Sequence, residues 1–150
     1  MTANFPDPAL PPIVIVDDCD DDAFLLRCRL RDGGVTNPIV SFTCAREAMA
    51  FLDVLRLSGG KPAFVFVEIR LPGDQGFELI GHLREQPEWE GVRVVVFTPS
   101  NDPADLDRAL ALHVDGYVVK FPPADLLAEF VRSGPWFAVP QRHGALAGAH

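Results

Sequence analysis

The chain has 150 residues, 48% of them hydrophobic and 23% charged, with a formal net charge of −8. That balance describes one ordinary globular domain, large enough for a core without disulfide or metal staples. It argues against a surface that grips nucleic acid by its phosphates. No run of about 18 apolar residues is available to span a bilayer. The polar, Pro-containing N-terminus lacks a signal-peptide core, so a cytoplasmic protein with no membrane association is the expectation. Cys19, Cys28 and Cys44 show no C-x-x-C spacing and read as free thiols, Cys19 exposed and the other two buried as small hydrophobes.

Residues 1–11 are polar and Pro-rich, and read as a flexible lead-in. Ile13 to Val16 is an apolar run. Asp20 to Arg31 is a predicted helix with Phe24, Leu25, Cys28 and Leu30 at near-helical spacing, ended by Gly33-Gly34. Its leading acids, Asp20, Asp21 and Asp22, complement the positive end of the helix dipole. Pro38 to Phe42 is a short strand. Ala45 to Leu57 is a helix with Ala48, Phe51, Leu52 and Leu55 on one face. Ala63 to Val67 is a third buried run, and Phe77 to Arg84 a helix. Val92 to Phe97 is a fourth strand. Asp102 to His113 is a helix capped by Asp102, with Pro103 at its first position and Leu106, Ala109, Leu110 and His113 inward. Gly116 to Val119 is a fifth strand, and Pro123 to Arg132 a last helix broken by Gly134-Pro135. The boundaries are therefore a lead-in, 1–11, a domain, 12–133, and a C-terminal extension, 134–150.

Strands that are apolar throughout belong to a parallel sheet covered on both faces by helices. The fold class is α/β, a (βα)5 doubly wound five-stranded sheet whose functional site lies beyond the C-terminal strand ends. Those ends carry Asp17 and Asp18, Glu68, Thr98, and Lys120. Converging carboxylates need neutralising, by a divalent cation or by the lysine. Mg²⁺ takes one or two carboxylates plus a phosphoryl group. In such a site Asp17 and Asp18 hold the metal, Thr98 donates a hydrogen bond, and Lys120 pairs with a phosphoryl oxygen or a carboxylate.

Taken together, VDD after the first strand, E-x-x-LPG-x-x-G after the third, VVVFTPS at the fourth and GYVVK at the fifth resemble the receiver domain of two-component response regulators. The resemblance spans roughly residues 12–133. The last two blocks, followed by a short helix and Trp136-Phe137, look most like the stand-alone regulators paired with bacterial phytochromes. It implies a flavodoxin/CheY-like strand order 2-1-3-4-5, a histidine kinase as partner, a bacterial phytochrome among the candidates, and no enzyme activity of its own. It also implies Mg²⁺ held by Asp17, Asp18, the residue at 68 and the backbone carbonyl of Arg70. Tyr117 stands at the aromatic switch position, which turns inward when Thr98 moves; a half-exposed strand aromatic is the alternative. The resemblance further implies a homodimer through the face built by the 102–113 helix, the fifth strand and the last helix. Leu110, His113, Tyr117, Phe121, Trp136 and Phe137 are its candidate contacts, although the two aromatics of the extension could instead cover the domain's own core edge. His113 also reads as a packed residue rather than a ligand, since no second His or Cys keeps a metal spacing with it.

The phosphoacceptor of such domains is Asp, and here it is Glu68, one methylene longer. Three readings follow: a permanent imitation of the phosphorylated state, in which Glu68 pairs with Lys120 and Thr98; a filled, inactive pocket; or a substituted Asp in an otherwise phosphorylatable receiver. The first two make the domain phosphorylation-independent. Arg70 brings a cation that competes with Mg²⁺ or pairs with an acid. Lys120-Phe121-Pro122 replaces the family's usual Lys-Pro. Two other classes compete. A metal-dependent phosphohydrolase lacks a general acid/base His at the strand ends, and a flavodoxin-type cofactor binder would meet a repelling DDCDDD loop.

Overall fold

The computed structural model describes residues 8–122, Asp125, Leu127 and Glu129, and the strand 136–138. The elements in chain order are β1 (Ile13–Val16), α1 (Asp20–Asp32), β2 (Ile39–Phe42), α2 (Ala45–Leu57), β3 (Phe64–Val67), α3 (Gln75–Arg84), β4 (Arg93–Thr98), α4 (Pro103–Ala111), β5 (Gly116–Val119) and β6 (Trp136–Ala138). All strands pair in parallel, in the order β2-β1-β3-β4-β5-β6. The five expected strands thus stand in the expected order, and a sixth was not foreseen. Trp136–Ala138 pairs with Gly116–Val118, so the start of the extension joins the sheet. Of the expected last helix, Asp125, Leu127 and Glu129 are helical. The rest of that helix, residues 1–7 and most of the extension lie outside the described residues.

Alternate residues of the buried strands feed two cores. Val14, Val16, Val65, Val67, Val94 and Val96 pack with α2, α3 and α4 residues, Tyr117 among this set. Ile13, Ile15, Phe64, Phe66, Val95, Phe97 and Val118 pack with Ala23, Leu26 and Leu30 of α1, and with Leu127. Both faces are covered, which is why the strands carry no polar alternation.

Three sequence readings need correcting. The buried stripe of α1 is Ala23, Leu26 and Leu30, while Phe24 is 65% exposed, because the sheet selects a phase that a crowded apolar run leaves open. On α4, Ala109 is buried but Leu110 is 37% exposed. The helix ends at Ala111, and His113 lies exposed beyond it with φ of 60° in the turn to β5, neither inward nor packed. Cys28 and Cys44 are half-buried, and Cys19 is exposed. The Asp102 cap is as expected, its side chain accepting from the Ala104 N–H at 3.0 Å with Pro103 opening the helix.

The LPG-x-x-G segment explains itself physically. Leu71 is buried, and Gly73 has φ of 65° in the turn Pro72–Asp74. A Cβ on Gly76 would stand 2.6 Å from the Glu68 carbonyl oxygen and 2.8 Å from Ile69 Cα. The glycine therefore lets the first turn of α3 press directly on the backbone that carries Glu68. Gly76→Val should cost about 2–3 kcal/mol by overpacking, read as a lower midpoint in urea with an unchanged slope. A midpoint equal to the parent's would contradict this close approach.

Candidate functional site

Ladder hydrogen bonds run past the strand ends and fix the functional residues in register. The Asp17 N–H donates to the Phe42 carbonyl at 3.0 Å, the Glu68 N–H to the Val16 carbonyl at 2.9 Å, and the Lys120 N–H to the Thr98 carbonyl at 2.9 Å. Asp17, Glu68 and Thr98 are buried at 3%, 5% and 0% exposure. The peptide bond between Lys120 and Phe121 is cis, although Phe121 stands where the family usually has Pro.

The Lys120 side chain, 4% exposed, donates from Nζ to Asp17 Oδ2 at 2.6 Å, Asp22 Oδ2 at 2.9 Å and Glu68 Oε1 at 3.0 Å. These three acceptors use the full donor capacity of an ammonium. The second oxygens of Asp17 and Glu68 are also engaged. Asp17 Oδ1 accepts from the Cys19 N–H, and Glu68 Oε2 from the Arg70 N–H, each at 2.9 Å. Burial pushes the Asp17 carboxyl above its ordinary range, against the lowering pull of its Lys120 bond. Burial also works against the Lys120 charge, but the bonds from Asp17, Asp22 and Glu68 outweigh it and hold the amine above its ordinary value. Lys120 is thus a firmly charged ammonium, and the strain of the shared site falls on Asp17.

Asp17, Glu68 and Lys120 come together as the strand ends implied, but Asp18 is exposed and its carboxylate does not join them among the described residues. Asp22 takes its place, because the first turn of α1 swings that carboxylate to the lysine. Nothing in the sequence distinguished Asp22 from the neighbouring acids that complement the helix dipole.

The resemblance implies a divalent cation here, and the donors can be tested against it. Asp17, Asp18 and Glu68 do not converge as three ligands, since Asp18 is exposed and each oxygen of the other two already accepts from nitrogen. Among the described residues no group of three acidic, His or Cys side chains is arranged to hold a metal. The residues as placed do not form the cation's cradle, and Lys120 supplies the compensating charge.

Thr98 Oγ1 accepts from the Ser100 N–H at 3.4 Å and is not bonded to Glu68. Tyr117 is fully buried, not half-exposed, and its hydroxyl donates to the Ser100 carbonyl at 3.0 Å. Burial raises the phenol above its ordinary value. Arg70 takes the acid-pairing alternative, its guanidinium reaching Asp105 at 2.7 Å and Ser100 Oγ at 3.1 Å. Of the expected partner-face residues, Leu110 and His113 are exposed but Tyr117 is not, since its ring fills the core beside α4. Phe121 is half-buried, edge-on to Phe97 with ring centroids 5.2 Å apart. Of two surface depressions, about 290 and 310 Å³, the first is lined by His113 together with Arg84 and Asp115, and neither is lined by Asp17, Glu68, Thr98 or Lys120.

The C-terminal edge of this parallel sheet gathers buried carboxylates, a hydroxyl and a lysine; comparison with known proteins gives the class of the chain. It belongs to the response regulator receiver domain family, whose model matches residues 13–132. It is 33% identical over 112 residues to the probable methanogenesis regulatory protein FilR2 of Methanothrix harundinacea, covering 72% of this chain and 70% of that one. Among solved structures it is similar to the bacteriophytochrome response regulator AtBRR, with 30% identity, a TM-score of 0.68, and 82% and 89% of the two chains covered. It is also similar to the phosphorylated cyanobacterial phytochrome response regulator RcpA, with 26% identity, a TM-score of 0.69 and the same coverage.

Proposed function

We propose that this receiver is a response regulator of the stand-alone type whose working state does not depend on phosphorylation. The observation that carries the reading is the 3.0 Å bond from Lys120 Nζ to Glu68 Oε1. An aspartyl phosphate would offer an oxygen to the lysine from beyond the carboxylate. The extra methylene of glutamate moves its own oxygen outward in the same direction. The site then satisfies its lysine without a phosphoryl group, and an acyl phosphate on Glu68 would be pushed out of alignment. The inward, fully buried Tyr117 supports the imitation of the phosphorylated state over a merely filled pocket. Planar Glu68 makes the imitation partial, and it works through Lys120 rather than Thr98.

The family and its phytochrome-associated relatives support a histidine kinase of bacterial phytochrome type as partner; the reading adds a second copy of the chain, through the face of α4, β5 and the last helix, and no nucleic acid. The location is cytoplasmic, and the protein acts by docking rather than turnover. Sedimentation velocity tests this. The fraction of dimer should be the same with and without a small-molecule phosphodonor and Mg²⁺, and Trp136→Ala should shift it toward monomer. A dimer that forms only with the phosphodonor contradicts independence from phosphorylation, and an unmoved Trp136→Ala removes the extension from the interface.

A further inference from the structure

Arg70 bonds in two directions. Its N–H donates to Glu68 Oε2 at 2.9 Å, while its guanidinium crosses to Ser100 Oγ at 3.1 Å and Asp105 Oδ2 at 2.7 Å. Ser100 Oγ donates to the same Asp105 oxygen at 2.6 Å, and the Ser100 carbonyl accepts the Tyr117 hydroxyl at 3.0 Å. A continuous chain of bonds therefore runs from Glu68 through Arg70 and Ser100 to Tyr117. A second bridge joins the same two regions, as Arg108 of α4 donates to Asp74 at 3.2 Å and lies 4.1 Å from the centroid of the Phe77 ring. The two bridges have opposite polarity. The segment after β3 offers Arg70 and Asp74, and α4 answers with Asp105 and Arg108, one turn apart. Sliding α4 by a turn would set Arg108 against Arg70 or Asp105 against Asp74, so the pattern accepts one register.

We propose that Arg70–Asp105 and Asp74–Arg108 form a built-in clasp that holds α4 and the inward Tyr117 in one arrangement, carrying the state of Glu68 to the α4–β5 face without a phosphoryl group. The proposal rests on the phosphorylation-independent reading above and adds the residues that transmit it. Neither bridge would suffice alone, because Arg70 and Arg108 are 56% and 50% exposed and water screens such pairs. The strength lies in two bridges acting on one helix, with a buried hydroxyl at the end of the chain and a cation–π contact on the second bridge.

The chain has a single tyrosine, so selective ¹³C labelling of tyrosine rings gives one NMR reporter of Tyr117. In the native protein the ring signals should stand away from solvent-exposed values. In Arg70→Ala/Arg108→Ala they should move to exposed values, with Arg46→Ala, on an exposed residue of α2, unchanged. Raising NaCl on the native protein should produce the same movement in part. Should the double variant lose its far-UV circular dichroism, Asp105→Asn gives the same reading with a milder change. Ring signals that stay native in a folded double variant, or in Asp105→Asn if that one is needed, overturn the clasp. Intact-mass measurement after phosphodonor treatment separates this from the underlying reading. A native protein that gains a phosphoryl group overturns that reading whatever the ring does, and unmoved rings without uptake overturn only the clasp.

Discussion

Lys120→Met should destabilise the protein by about 3–5 kcal/mol at neutral pH, the usual cost of removing one partner of a buried ion pair. The estimate applies because Lys120, Asp17 and Glu68 have side chains only 4%, 4% and 5% exposed. Methionine fills most of the lysine's volume, so the loss reports charge rather than a cavity. The pH dependence fixes the cause. In the parent, Lys120 has a folded pKa above its unfolded value, so its contribution is complete below the ordinary lysine range and is lost only as pH rises through the folded value. In the variant Asp17 loses the bond that held its pKa down, and burial raises it further. The folded state then keeps a proton that the unfolded chain releases, so stability falls as pH rises from the ordinary carboxylate range through the folded value. Urea melts should show the gap between parent and variant narrowing toward acid pH. A constant gap would mean the lysine acts by packing alone.

Glu68→Asp should tighten Mg²⁺ binding by about 10- to 100-fold, measured by calorimetry. In the parent, Lys120 already occupies an oxygen of Asp17 and one of Glu68, so a cation would have to displace it. Shortening residue 68 by a methylene withdraws its carboxylate from the ammonium. One charge-assisted hydrogen bond, worth about 1.5–3 kcal/mol, then no longer opposes the metal. Equal affinities in the two proteins would mean that the lysine bond at position 68 does not govern the site.

How far the sequence carried depended on whether a residue's role is set by its own strand or by a distant partner. Asp17, Glu68, Thr98 and Lys120 were legible because apolar runs ending in polar groups mark the C-terminal edge of a parallel sheet, and the ladder fixes them there. Asp22 was not, since its partner is 98 residues away and its neighbours are equally acidic. The burial of Tyr117 depends on the Ser100 carbonyl, and the direction of Arg70 on Asp105, contacts that no local pattern encodes. Phe24 faces outward because five apolar residues crowd positions 24–30, and only the sheet selects among them. The sixth strand escaped because Trp136–Ala138 is a three-residue run, too short for periodicity to tell strand from loop.

The central claim is that Glu68 replaces the phosphoryl group instead of accepting one. Intact mass after incubation with Mg²⁺ and a small-molecule phosphodonor, for the native protein and for Glu68→Asp side by side, tests it most directly. The account predicts a phosphoryl adduct on the Asp variant alone. An adduct on the native protein would contradict it.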